Sequence, residues 1–202
     1  MRRILIIFSL IVISSCSFVH YTGTKSAVDK SKLEVENYLV KNKVTFQDYN
    51  LFIKDELIDS LSNKKHAVNL WQFEHGVEQS TIQLRIYDSL GALVNGYVQC
   101  YGEFKKLNIL SEKPFKSFNH LPTNFDLRFK DDFDLWNITD SDRQEILAKA
   151  SGKKFTFVVY WNIWSNYYSK IILKKLREYL KKFEMKNEVL IILVNTDYSK
   201  QS

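Results

Sequence analysis

The chain is short of the residues that punctuate or cross-link a fold: of 202 residues, two are cysteine, two proline and six glycine. So little glycine and proline excludes collagen-like and low-complexity chains, and glycines this dispersed form no phosphate-cradling loop. No G-x-S-x-G element is present, so a hydrolase built on a nucleophile elbow has no support. The four histidines, His20, His66, His75 and His120, lack the i, i+4 spacing of a helical zinc pair. The acidic residues Asp126, Asp131, Asp132, Asp134, Asp140 and Asp142 lack the turn glycine of a calcium loop. They are expected to form a solvated loop and a helix start, and neither a metal nor a cofactor is expected. No apolar run approaches the roughly 20 residues that cross a bilayer as a helix.

Against these shortages stands a composition that folds: 45% hydrophobic, 26% charged, a net charge of +6, and four Trp, eleven Tyr and fourteen Phe. Rings of that size supply much of the area a core buries, and the length suits one core with an appendage.

The appendage is N-terminal. Arg2 and Arg3 precede an apolar run from Ile4 to Ile13, interrupted at Ser9, which reads as the basic and hydrophobic regions of a secretory leader. An ordinary cleavage site wants a small residue where Ile13 stands. Ile13-Ser14-Ser15-Cys16 instead resembles the lipobox of bacterial lipoproteins, which implies removal of residues 1–15 and a diacylglyceryl group on Cys16. The resemblance implies an exported protein, lipid-anchored to a bacterial membrane, most simply the periplasmic side of an outer membrane. Residues 16–31 carry the lipidated cysteine and a tether of mostly small and polar residues. With Cys16 acylated, Cys100 keeps the one thiol and no internal disulfide forms.

Along the body, 32–125 is expected to be an α+β region. Lys32 to Lys41 and Asp55 to Leu61 have weak helical spacing, and Ala67 to Phe73 is a candidate strand. Ile82, Leu84 and Ile86 alternate with Gln83, Arg85 and Tyr87, the period of a half-buried strand. Asp88-Ser89-Leu90-Gly91 reads as a turn, and Val94, Val98 and Cys100 share a face of the returning strand, so Cys100 is expected in the core. The hairpin spans 81–102. In 126–202, Ser141 or Asp142 is expected to cap a helix from Arg143 to Ala150, closed by Gly152.

Phe155 to Trp161 is a continuous apolar, β-branched and aromatic run, as in a strand covered on both faces. Ile172, Leu176, Tyr179, Leu180 and Phe183 recur at helical spacing within 167–184, and Val189 to Val194 is a second buried run. Together they make a βαβ unit. Lys153 to Asp197 resembles the central βαβ unit of the thioredoxin-like superfamily, with Trp161-Asn162-Ile163-Trp164-Ser165-Asn166-Tyr167-Tyr168 where that family carries Trp-x-x-Trp-Cys-x-x-Cys. Val194-Asn195-Thr196-Asp197 matches the end of its next strand, and Glu145 to Lys153 is similar to its preceding helix and turn. The match covers about sixty of the 202 residues.

The departures carry the functional reading. Ser165 holds the first cysteine position and Tyr168 the second, and an unactivated hydroxyl forms no mixed disulfide. Pro114 and Pro122 precede the unit, whereas the family's cis-proline follows it, and its closing hairpin and helix are missing downstream. The fold class expected is therefore α/β, a thioredoxin-like βαβ unit whose sheet is completed or covered by the upstream hairpin. The first functional expectation is a redox-inactive binding or structural module of the envelope. It would hold a protein or peptide at the degenerate active-site position formed by Trp161, Trp164, Ser165, Tyr167 and Tyr168, with no catalytic residue. The alternative is an enzyme related to thiol–disulfide oxidoreductases, or another envelope enzyme of that scaffold. A third is a surface contact through the lysines of the crossover helix; export argues against nucleic acid as the partner.

Overall fold

The computed structural model describes residues 30–54, 57, 82–98 and 128–197. Cys16 and the tether up to residue 29, the segments around Asp55 to Leu61 (apart from Leu57) and Ala67 to Phe73, Cys100, the four histidines and both prolines lie outside the described residues.

Helix α1 (Lys32–Lys41) follows the weak spacing read there, and its start is fixed by a capping box. The Ser31 hydroxyl accepts from the Glu34 amide at 3.3 Å and the Glu34 carboxylate accepts from the Ser31 amide at 2.9 Å. These bonds and the Lys30 ammonium hold the Glu34 carboxyl down at about 2, against an ordinary 4.5. The cap's contribution is therefore complete above about pH 4.5 and is lost as pH falls through about 2. Hydrogen exchange followed from pH 5 to pH 2 is expected to show the amides of the first turn of α1 losing protection before those of the sheet. Uniform loss across both would argue against the box.

Five strands form one mixed sheet: β1 (Tyr49–Phe52), β2 (Gln83–Asp88), β3 (Leu93–Val98), β4 (Phe155–Trp161) and β5 (Val189–Asn195), in the order β1-β5-β4-β2-β3. β1, β5 and β4 run parallel; β2 is antiparallel to both β4 and β3. The upstream hairpin thus completes the sheet beside the first strand of the βαβ unit, with Ile86 opposite Phe157 and Phe157 opposite Ile191. Its turn is set by Asp88, whose carboxylate accepts from the Leu90 and Ala92 amides at 2.9 Å each, and by Gly91 at φ +73°, a left-handed conformation that suits glycine.

The remaining elements are a 3-10 segment (Phe129–Leu135), α2 (Asp140–Ser151), α3 (Asn166–Lys182) and a short 3-10 turn at Met185–Asn187. Alternation along β4 and β5 divides the core in two. On one face Phe157, Val159, Ile191 and Leu193 meet α1 (Val35, Leu39) and α3 (Ile172, Leu173, Leu176). On the other, Val158, Tyr160, Ile192 and Val194 meet Phe129, Phe133, Trp136 and Ile146. The class is α/β, with helical layers on both faces of the sheet.

Four expectations are corrected. β2 is not half-exposed: Gln83, Arg85 and Tyr87 are buried with Leu84 and Ile86, because the 3-10 segment covers the second face. Val94 does not enter the core; it is 37% exposed on the edge strand β3, where Leu93 takes the inward position. Of the acidic stretch, Asp126 lies outside the described residues, Asp134, Asp140 and Asp142 are exposed and a helix start is present as read, but Phe129 to Leu135 is not a solvated loop: Phe129, Phe133 and Leu135 pull it onto the sheet and Asp132 is wholly buried with them. α2 begins earlier than expected. Thr139 is its N-cap, its hydroxyl accepting from the Asp142 amide at 3.2 Å, so Asp142 is the third residue of a capping box and Ser141 lies inside the helix. Gly152 stands at the C-cap as read.

Candidate functional site

Parallel strands bring their carboxyl ends together, and in open α/β sheets that edge is where ligands gather. Here β4 ends at Trp161 and β5 at Asn195, tied by the Thr196 amide donating to the Trp161 carbonyl at 2.8 Å. Between β4 and α3 the chain makes a tight four-residue connection, 162–165, and polar side chains lock it. The Asn162 amide oxygen accepts from the Ser165 amide at 2.8 Å, its NH2 donates to the Thr196 hydroxyl at 3.2 Å, and the Ser169 hydroxyl donates to the Asn162 carbonyl at 2.6 Å.

Asp197 is the centre of the lock. Its carboxylate accepts from the Ile163 amide at 2.7 Å, the Trp164 amide at 3.4 Å and the Asn195 side chain at 2.9 Å. Burial raises its pKa above the ordinary carboxylate value, and these donors oppose the rise. With its oxygens committed to loop amides, the residue acts as a positioning group. Replacing Asp197 by alanine strands two amides in a half-buried turn and is expected to cost on the order of 1–3 kcal/mol. Exchange of the Ile163 and Trp164 amides should accelerate while Ile191 in β5 stays slow, and Asp197→Asn should recover part of the loss. Unchanged exchange at 163 and 164 would refute the lock.

The five residues marked at the degenerate position are adjacent in space but unlike in setting. Trp161 is 1% exposed and stacks on Tyr38 of α1, ring centroids 5.3 Å apart, and its indole N–H finds no hydrogen-bond partner among the described residues. Tyr38 in turn donates to the Asn166 side chain at 2.9 Å, tying α1 to the start of α3. Ser165 stands at the N-cap of α3, 4% exposed, with a hydroxyl that makes no capping bond; the capping role a serine would ordinarily take there is not used. Trp164 and Tyr168 are half-buried, and Tyr167 is 44% exposed, edge-on to Tyr168 at 5.2 Å. No histidine, cysteine or cluster of metal-ligating side chains occurs among the described residues.

A second buried polar cluster, on the opposite face, went unread in the sequence. Arg85 pairs with Asp132, both essentially without solvent contact. The Tyr87 hydroxyl donates to Asp132 at 2.7 Å, Arg85 donates to Gln83 at 3.2 Å, and its guanidinium lies 4.6 Å over the Tyr160 ring. Trp136 donates to the Tyr160 hydroxyl at 3.1 Å. Burial opposes the Arg85 charge, and Asp132 beside it more than restores it. The cluster joins β2, β4 and the 3-10 segment.

The chain matches no protein-family model, no curated protein and no solved structure. The site is therefore judged on its own chemistry: an aromatic rim of Trp164, Tyr167 and Tyr168 over an internally bonded turn, with the Ser165 hydroxyl at the helix start.

Proposed function

We propose that this chain is an exported bacterial lipoprotein, acylated at Cys16, whose body is a thioredoxin-like scaffold that binds a protein or peptide rather than reacting with it. The observation that carries the reading is Ser165 at the start of α3, directly after a parallel strand, with Tyr168 one turn on. A helix start is where a cysteine thiol is lowered toward thiolate, and a serine hydroxyl gains no comparable reactivity there. The sheet supports the scaffold reading. The antiparallel hairpin that the resemblance expects after the βαβ unit comes before it in this chain, yet pairs alongside β4. Half-buried rings held by an internally bonded turn suit a contact surface, since they bury area with little loss of side-chain freedom.

The test is site-specific photo-crosslinking in the native bacterium, with the photoreactive residue at position 168 and a control at Lys149 on α2. A discrete product is expected from 168, lost on Trp164→Ala and absent from 149. The purified protein is expected to show no turnover in a thiol–disulfide exchange assay. No product at 168, the same product at 149, or measurable exchange would each overturn the binding reading.

A further inference from the structure

The two helical layers differ in charge. On the α1/α3 side the exposed lysines Lys41 and Lys43 stand beside α1, and Lys170, Lys174 and Lys181 line α3. Exposed carboxylates there include Glu36 and Glu178, the latter 3.8 Å from Lys174. Arg177 belongs to the fold, donating to the Asn42 and Lys43 carbonyls at 3.3 and 3.2 Å and fastening α1 to α3. The opposite layer is mixed in sign, exposing Asp134, Asp140, Asp142 and Glu145 together with Arg128, Lys130 and Lys149. The basic layer carries exposed apolar side chains among its lysines: Leu33 is 65% and Val40 73% exposed, seven residues apart on α1, and Tyr167 is 44% exposed at i−3 and i−7 from Lys170 and Lys174; the other exposed apolar groups, Leu90 at the hairpin turn, Val94 on β3 and Leu147 on α2, are scattered singly. Lysines interspersed with exposed aliphatic and aromatic groups match a surface that is anionic outside and apolar just beneath.

The same layer receives the chain from its N-terminus, since α1 begins at Lys32, one residue after Ser31. Fifteen peptide steps separate Cys16 from Ser31, a reach of at most about 50 Å. A tether of that length holds the body near its membrane at high effective concentration and lets charge choose the face that meets it. Resting on the lipoprotein reading above, we infer that the α1/α3 layer docks flat on anionic lipid headgroups, leaving the carboxyl edge of the sheet at the side, open to a partner.

The test uses the full processed chain in vesicles of phosphatidylcholine alone or with about 30% phosphatidylglycerol, at about 50 mM salt. Lysine acetylation rates are read residue by residue. In the anionic vesicles, Lys41, Lys170, Lys174 and Lys181 are expected to slow at least about fivefold, with Lys130 and Lys149 unchanged and the protection lost at about 500 mM salt. The combined variant Lys170→Glu, Lys174→Glu, Lys181→Glu should abolish protection at Lys41. Equal rates in both vesicles, or equal slowing on both layers, would overturn the docking. The mass of the N-terminal peptide reports acylation separately: an acylated Cys16 without protection defeats the docking alone. An unmodified Cys16 with protection defeats the anchor while the lipid-facing surface stands.

Discussion

Replacing Asp132 by alanine is expected to destabilise the protein by about 3–5 kcal/mol, a large part of the roughly 5–15 kcal/mol that holds an ordinary domain. The reason is the charge left behind. Arg85 is 1% exposed, so without its partner a guanidinium remains in a region that water cannot reach, and the Tyr87 hydroxyl loses its acceptor as well. Removing both charges together should do less harm: Arg85→Met, Tyr87→Phe and Asp132→Leu leave no buried charge, only the Tyr160 hydroxyl and the Gln83 oxygen each losing a partner, and are expected to cost clearly less than the single variant, about 1–3 kcal/mol. Urea titration reads both, and the triple variant keeps the comparison legible if the single one does not fold. A single variant within about 1 kcal/mol of the parent would mean that the pair is solvated in solution.

The contrast also assigns the pair its role. Buried ion pairs add little net stability over apolar residues of the same size, but they penalise arrangements in which the partners do not meet. Asp132 lies 47 residues beyond Arg85, on a 3-10 segment that also brings Phe129 and Phe133 to the sheet. Only the observed seating of that segment over β2 satisfies both charges. The hairpin's position in the sheet, unusual in chain order for the proposed scaffold, is thereby fixed by chemistry as well as by strand pairing.

What was legible in the sequence follows from this. β4, α3 and β5 were readable because their apolar runs are continuous and of one period, and burial on both faces leaves no other reading of Phe155 to Trp161. The Lys32–Lys41 helix was read from weak spacing alone; Ser31 with Glu34, the capping signal that would have strengthened it, went unread. β1 was missed. Tyr49–Phe52 is four residues among Gln47, Asp48 and Asn50, and its pairing depends on a distant strand, with the Asp48 carboxylate accepting from the Ile191 amide at 2.8 Å. Arg85 was misread for a related reason: in a one-letter string a buried cation and a solvated one look the same, and alternation assigns both to the outside. At the candidate site the rim residues were named from the resemblance, whereas Asn162 and Asp197, which hold that rim in place, were quoted without a role. Their partners are backbone amides, which no side-chain pattern displays.

The second large effect concerns attachment. Cys16→Ala is expected to abolish incorporation of a labelled fatty acid, and a version in which an ordinary cleavable leader replaces residues 1–16 is expected to leave its body in the soluble fraction at about 500 mM salt, where the parent stays with membranes. The size of the effect comes from chain burial. Each methylene contributes about 0.8 kcal/mol, so one acyl chain binds marginally and the diacylglyceryl group implied at Cys16 holds firmly. The exposed lysines of the α1/α3 layer act only within a Debye length, about 8 Å in physiological salt and less at 500 mM. Salt therefore separates the two contributions: it releases a body held by charge alone and leaves one held by lipid. No helix among the described residues is long and apolar enough to cross a membrane, so retention of the leader-swapped body at high salt would require a third mode of attachment and would sink the lipoprotein reading. Absence of acyl label from the parent would do the same. Release at high salt with partial retention at low salt is the outcome that both proposals together predict, because the docking face survives the loss of the anchor.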